Sequence, residues 1–235
     1  ITKLERCCFR GCNFIKEINI PATCVDIDQY AFEDLDFVLS YNVDKDNPKY
    51  TSYDGCIYSK DKKRFIKYPR GREHKTFYFN DEVEIIESYA MNDAQLVNVS
   101  IGKSVKTMEI YSFGDYERGS KIEKIYIPKN VIEIQDYAFN HYDSYGKIII
   151  GGEKGSEAEK FAFKNEILFT EVDESNLDWF FSLSYDEHRK IIEEKAKNET
   201  EFVVDCPENG YTATFDNGTL TLSSLNGGAT VEDLK

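Results

Sequence analysis

The chain has 235 residues, room for one or two domains with a sizeable core, and carries 29 Lys and Arg against 43 Asp and Glu. Its net charge of −14 argues against nucleic acid and anionic membrane surfaces, both of which reward basic faces. No run of about 18 or more apolar residues occurs, so no membrane insertion is expected within this stretch.

The charge is uneven. Residues 1–169 hold 24 basic and 28 acidic residues, whereas 170–235 hold 5 and 15, which places an expected domain boundary near 170. Residues 170–235 form the more acidic part. No basic-plus-apolar leader precedes the first unit, and because the chain opens inside a repeat that absence carries no weight about export.

From the start, one frame recurs. Ile20 is followed by Cys24, Ile27 and Tyr30-Ala31-Phe32; Phe79 by Val83, Ile86 and Tyr89-Ala90-Met91. Ile101 is followed by Val105, Met108 and Tyr111-Ser112-Phe113; Ile127 by Val131, Ile134 and Tyr137-Ala138-Phe139. A half unit, Leu4 to Cys7-Cys8-Phe9, opens the chain. Phe9 to Phe32 and Met91 to Phe113 set a period of roughly 22–23 residues, within the range of stacked repeat units. Phe113 to Phe139 is slightly longer, the surplus falling in Gly114–Ser120. Each unit starts with a short alternating run: Ile18–Ile20, Phe77–Phe79, Val99–Ile101, Ile125–Ile127 and Ile148–Ile150. Such period-two alternation predicts a very short strand with one buried face, ended at Pro21 and Pro128 because proline cannot donate to a ladder. The Val and Ile three apart, and the Tyr-Ala-Phe cluster, supply the other inward side chains. Such a unit is stable only when stacked on neighbours, which predicts a repeat solenoid.

The spacing from Phe32 to Met91 is more than twice that period, so a segment is inserted, over 44–70. Asn47-Pro48 marks a turn, Asp54-Gly55 a hairpin and Lys60–Lys63 a second turn. These predict a protruding three-stranded meander with strands near 50–53, 56–59 and 64–68. Farther on, Ser156 with Glu159 predicts a capped helix over 157–164 on the end of the stack, after a Gly151–Gly155 turn. Ile167–Phe169 adds a last strand, so the terminal capping unit runs over 151–169.

The strand, Ile-Pro, Val-x-x-Ile and Ala-Phe frame resembles the BspA-like class of bacterial leucine-rich repeats over residues 1–169. The stretch Asn47-Pro48-x-Tyr50-x-Ser52-x-Asp54-Gly55-x-x-Tyr58 is similar to a hairpin inserted in that family. Gly155-Ser156-x-Ala158-Glu159-x-Phe161-Ala162-x-x-Asn165 is similar to its terminal units. The sequence departs from the pattern in that the Cys after Ala-Phe is present only as Cys12, and Leu gives way to Ile, Val and Phe. Met91 replaces a Phe; these are volume-tolerant swaps at core sites. The resemblance implies a leucine-rich-repeat-like solenoid that is secreted or held at the cell surface. It further implies adhesion to a host or matrix protein or a glycan.

Beyond 170 the frame stops. Ser175–Asp178 and Ser184–Glu187 open two amphipathic helices, with Trp179, Phe180 and Leu183, then Ile191, Ile192 and Ala196. Strands are expected at 201–205, 211–215 and 219–222, with Asn209-Gly210 and Asn217-Gly218 as turns. Residues 170–235 therefore read as a small acidic α+β module with no family resemblance.

No motif for nucleophilic or acid–base chemistry stands out, and no catalytic residue, metal or cofactor is expected. His74, His141 and His188 lie on unrelated elements, Cys206 lies apart from His188 in the pattern, and 43 acids make paired carboxylates uninformative. Asp44–Asn47 lacks the sixth-place Gly and twelfth-place Glu of a calcium loop and reads as an Asx turn. Gly151–Ser156 lacks the Gly-Lys-Ser order of a phosphate loop. Cys7, Cys8 and Cys24 occupy apolar sites of the frame and are expected to be buried or packed against apolar groups without metal.

Two surfaces are candidates for a partner. Residues alternating with the buried strand pairs point away from the core: Glu17, Asn19, Tyr78, Asn98, Ser100, Lys124, Tyr126 and Ile149. They form one strip, which reads either as a binding face rich in Tyr or as ordinary strand residues with good β propensity. Lys60, Lys62, Lys63, Arg64, Lys67, Arg70, Arg72 and Lys75 form a basic cluster. It reads either as lysine-guarded hairpin edges or as a patch for an acidic partner, the acidic tail included. The expectation is a non-enzymatic interaction protein presenting a repeat sheet. The alternative is a spacer or targeting stalk whose working domain, a hydrolase or a sugar-binding fragment, lies in or beyond the tail.

Overall fold

The computed structural model describes residues 1–12, 14–92, 94–114, 121–139, 148–198, 201–206, 211–216 and 219–224. Residues 115–120, His141 and both Asn-Gly pairs lie outside the described residues. Two compact units divide the chain, Ile1–Leu183 and Ser184–Lys235.

The first unit is a stack of coils that builds two sheets turn by turn. Its elements in order are β1 (Lys3–Leu4), β2 (Glu17–Ile20), β3 (Asp26–Ile27), β4 (Ser40–Val43), β5 (Tyr50–Tyr53), β6 (Cys56–Ser59) and β7 (Arg64–Lys67). Then follow β8 (Thr76–Tyr78), β9 (Ile85–Ile86), β10 (Asn98–Ser100), β11 (Thr107–Met108), β12 (Lys124–Tyr126), β13 (Glu133–Ile134) and β14 (Ile149–Gly152). Helix α1 (Glu157–Lys164), β15 (Leu168–Glu171), a 3-10 turn (Glu174–Asn176) and α2 (Leu177–Ser182) complete it. One sheet holds β8, β10, β12, β14 and β15, with β2 and β4 paired separately; the other runs β5-β6-β7-β9-β11-β13, with β1 and β3 paired separately. Each regular turn gives one strand to each sheet, so the Val-x-x-Ile segment is a second, two-residue strand as well as a source of core side chains.

The insert does not protrude. Its β7 runs parallel to β9, with Arg64 opposite Ile85 and Phe65 opposite Ile86, and so takes the place of a preceding turn. Antiparallel β5 and β6 extend the same sheet. Phe65 and Tyr58 enter the main core beside Phe79 and Met91, whereas Ile57 joins a second core around Ile18, Phe32 and Tyr41.

Two reverse turns repeat in every coil. After the first strand, Cys24, Val83, Val105 and Val131 N–H groups donate to the carbonyls of Pro21, Asn80, Gly102 and Pro128. After the second, Ala90, Ser112 and Ala138 donate to Glu87, Glu109 and Gln135. The third residues of these latter turns, Tyr89, Tyr111 and Tyr137, have φ of 59°, 55° and 63°. That is the type II turn position that glycine usually fills. The left-handed backbone costs about 1–2 kcal/mol per residue. It is offset because it aims Tyr89 N–H at Tyr111 O and Tyr111 N–H at Tyr137 O, at 3.2 and 3.1 Å. The rings stack in register, 5.4 Å for Tyr89–Tyr111 and 6.1 Å for Tyr111–Tyr137. The tyrosines of the frame are thus a half-buried ladder on the edge of the stack, and only Ala and Phe of Tyr-Ala-Phe point into the core.

Helix α1 forms as the capping signal predicts. Ser156 Oγ accepts from Glu159 N–H, and Glu159 reaches back to Gly155 N–H at 2.6 Å. Ala158, Phe161 and Ala162 close the core. Gly151 and Gly152, expected in a turn, lie in β14.

Cysteine placement follows the frame for Cys24, which is buried, but not for Cys8, which is exposed, or Cys7, which is half-buried and donates to Glu33. Ala31, the counterpart of Cys8 one coil on, is buried. A thiol reagent at pH 8 is expected to label Cys8 in the folded chain and to spare Cys24 and Cys56 until denaturant is added. Burial pushes the Cys56 thiol up to about 12, so it lacks the reactive thiolate as well as access. Peptide mapping after a timed pulse reads the result, and early labelling of Cys56 would contradict the packing.

The second unit holds α3 (Tyr185–Asn198) and an antiparallel sheet of β16 (Glu201–Cys206), β17 (Tyr211–Asp216) and β18 (Thr219–Ser224). Ser184 opens α3 as a capping box, its N–H and hydroxyl both donating to Glu187. The observed division at 183 falls later than the charge break near 170, because β15 continues the first sheet and the segment after it packs back on that sheet.

Candidate interaction surfaces

The outer face of the first sheet is ordered by its register. One row is Thr76, Asn98, Lys124, Ile149 and Leu168; the next is Tyr78, Ser100, Tyr126, Gly151 and Thr170. Period two puts Val99, Ile125 and Ile150 in the core and these rows on the opposite side, as the alternation predicts.

Outward from the core is not outward to solvent, however. Glu17 and Asn19 are exposed, Tyr78 is 57% exposed and Asn98 is half-buried, whereas Ser100, Lys124, Tyr126 and Ile149 are buried. This corrects the expected open strip over its second half. Four buried apolar side chains, Tyr126, Ile149, Val172 and Phe180, belong to neither core. Of these, Phe180 of α2 and Val172 lie over Gly151 on the outer face.

Gly151 explains how Phe180 fits. A Cβ there would lie 2.7 Å from the Phe180 ring and 2.8 Å from Val172, so a bare strand position receives the ring. Phe181 packs edge-on against Tyr78 with centroids 6.4 Å apart. The Lys124 ammonium donates to the main-chain oxygens of Phe181 and Leu183 at 2.7 and 2.6 Å. These are carbonyls at the C-terminal end of a helix, where partial negative charge collects and a cation is favoured.

Burial pushes the Tyr126 hydroxyl up to about 12. An unfolded tyrosine ionises near about 10. The stabilisation this represents is complete below pH 10 and is lost as the pH rises toward 12. A Tyr126→Phe chain is therefore expected to lose less stability than the unaltered chain between pH 10 and 12, measured by urea unfolding. Equal losses would place the hydroxyl in water.

The basic cluster is engaged within the fold. Lys62 pairs with Glu82 at 3.2 Å and Lys63 with Glu84 at 2.7 Å, while Arg64 bridges Glu87 and Glu109. Lys67 is buried and donates to Tyr89 O and Asn92, and Lys60 donates to Lys45 O. Arg70 meets Asp36, and Arg72 meets Asp54 and Leu39 O. These contacts tie the insert to the coils on either side. The loss of water around Glu87 outweighs its guanidinium partner and raises its carboxyl above the usual range.

Sequence reasoning missed the ladder of Tyr89, Tyr111 and Tyr137, which Tyr30 extends through a 4.8 Å ring contact with Tyr89. Arg6 lies 4.3 Å over the Tyr30 ring and closes that end. It also missed Gly151 as the seat for Phe180; the apolar run Trp179-Phe180-Phe181 was the available signal. Among the described residues no group of three or more His, Cys, Asp or Glu could hold a metal ion, and no helix is long and apolar enough to cross a membrane.

The chain is similar to three solved bacterial proteins. A leucine-rich repeat protein from Eubacterium ventriosum is 20% identical, with a TM-score of 0.50 over 60% of this chain and 37% of that one. A leucine-rich cell surface protein from Faecalibacterium prausnitzii is 18% identical, with a TM-score of 0.46 over 76% of this chain and 53% of that one. The pneumococcal vaccine antigen PcpA is 14% identical, with a TM-score of 0.40 over 68% and 56%. The chain thus spans 37% to 56% of the length of these proteins, and the likeness to the first of them, at 20% identity, concerns the fold. No curated protein matches the sequence. The family described as the BspA type leucine-rich repeat region matches in 6 copies over residues 1–60 and 70–183, and the chain belongs to it.

Proposed function

We infer that this chain is a non-enzymatic interaction module of a bacterial surface or secreted protein, and that a protein or glycan partner contacts the outer face of the first sheet. The observation that carries the reading is the pair of aligned side-chain rows on that face. They stay open at Tyr78 and already hold an aromatic segment at Gly151, while Glu17 and Asn19 are exposed on the separately paired β2. Stacked strands set equivalent side chains about 5 Å apart, so several coils can act on one ligand at once. A large exposed aromatic beside hydrogen-bonding side chains gives contact area at low entropic cost.

The test is a binding screen of the full chain against matrix proteins and glycans, repeated with Tyr78→Ser and Asn19→Lys. Both changes lie on exposed positions and are expected to shift melting by less than the error of a typical scan. A partner that binds through this face loses at least tenfold in affinity. Partners indifferent to both substitutions would remove this face from the reading.

A further inference from the structure

The outer face already shows what it can bind, because a piece of the same chain occupies it. The occupant is a six-residue helix, Leu177–Ser182, presenting two consecutive aromatic rings to the sheet. Phe180 fills the space above Gly151, between Val172 and the strand. Phe181 meets the edge of Tyr78. The helix ends on Lys124, whose ammonium takes two of its terminal carbonyls. Shape comes from the missing Cβ at Gly151, and charge from a buried cation placed at the negative end of a helix.

The occupant buries little of itself. Phe180 is its only buried residue; Leu177 and Phe181 are half-buried, and Asp178, Trp179 and Ser182 are exposed. Its N-cap residue Asn176 makes no side-chain cap hydrogen bond. A helix of this length has no stability of its own and persists only through docking. Release would uncover Gly151 and the Lys124 ammonium and leave the Tyr78 ring without its Phe181 contact.

Resting on the reading that partners use this face, we propose that its ligand is a short amphipathic peptide helix with two adjacent aromatic residues and free C-terminal carbonyls. The chain's own residues 177–183 compete with that ligand for the site. The segment is therefore an internal plug, and partner binding is coupled to its departure. Continuity with an interface already formed on the sheet, and the match of Lys124 to helix-end carbonyls, favour a peptide over a glycan.

The test uses the full chain and a labelled synthetic peptide of residues 174–184, blocked at both ends, with tyrosine in place of its tryptophan. Fluorescence polarisation compares the unaltered chain with a vacated variant, Phe180→Ala with Phe181→Ala. The vacated variant is expected to bind the peptide at least tenfold tighter, and adding Lys124→Met weakens that binding at least tenfold. Trp179 is the single tryptophan of the chain. Its emission moves to longer wavelength in the vacated variant, and excess peptide produces the same shift in the unaltered chain.

If the double variant loses its far-UV spectrum, the single Phe181→Ala chain carries the comparison, with at least threefold expected. Equal affinity for plugged and vacated chains, or no binding to a vacated chain that keeps its spectrum, overturns the proposal. So does a glycan that binds the vacated face where the peptide does not. If the peptide fails while a screened partner still responds to Tyr78→Ser, this proposal falls alone. If screened partners ignore Tyr78→Ser while the peptide binds as expected, the plug stands and the partner surface lies elsewhere.

Discussion

Asn47→Ala is expected to cost the folded chain about 4 kcal/mol, a large share of the stability of a domain this size. Asn47 is fully buried and uses its amide completely. Its Nδ2 donates to Pro21 O at 2.9 Å and to Cys24 O at 2.7 Å. Its Oδ1 accepts from Lys49 N–H and Tyr50 N–H, both at 2.9 Å. One side chain thus joins the start of the insert to a reverse turn of the preceding coil. Each such bond contributes about 1 kcal/mol net, and alanine leaves four backbone groups without that partner. In a region of this length the change corresponds to a fall in melting temperature of about 8–16 °C. Asn47→Asp keeps the shape but turns a carboxylate toward two carbonyls. Its folded pKa is raised, so the stability it retains is present in acid and is lost as the pH climbs above about 4. The Asp variant should therefore lie closest to the unaltered chain near pH 4 and farthest at pH 7, by urea unfolding at both. An alanine cost no larger than that of a single ordinary hydrogen bond would mean that water replaces the amide and that the insert is not anchored here.

What could be read from the sequence was what short-range pattern encodes. Ile18 with Ile20 and Ile125 with Ile127 give their strands by period two, and Ser156 with Glu159 gives α1 to the residue. The insert strands near 50–53, 56–59 and 64–68 also fall where Pro48, Gly55 and the Lys60–Lys63 turn direct them. The second sheet was harder, because β9, β11 and β13 are two residues long and show no alternation. The tyrosine ladder was hidden for a different reason. A type II turn announces itself through glycine, and here the left-handed residues are Tyr89, Tyr111 and Tyr137, the first two held by bonds to the next coil. Surface assignments failed where burial is non-local. Nothing near Gly151 in the sequence says that the Phe180 ring will seat over it. The basic cluster likewise looks free until Glu82, Glu84, Glu87 and Glu109 of later coils are stacked beside it.

Phe113→Ala should remove about 4 kcal/mol, because it empties a site that the repeat fills once in every coil. Phe113 is 1% exposed, with Phe139 stacked on it at 5.4 Å and Phe79 edge-on at 6.2 Å. Phe139 in turn meets Phe161 of α1 at 5.7 Å, so the rings run continuously from mid-stack to the capping helix. The backbone around the gap is pinned. Phe113 N–H bonds to Ala138 O and Met91 N–H to Ser112 O, both at 2.8 Å, which hinders neighbouring coils from closing on the cavity. Phe113→Leu keeps most of the volume and should cost less than about 1.5 kcal/mol. Because the stacked rings touch, Phe113→Ala and Phe139→Ala should couple by about 1 kcal/mol, while Phe113→Ala and Asn47→Ala, which lie far apart in the stack, should add. Urea unfolding of the single and double variants measures both terms. Strict additivity of the two phenylalanines, with each single cost about half the expected value, would mean that the coils relax independently. The capping helix would then protect only the last coil and leave the stack behind it unsupported.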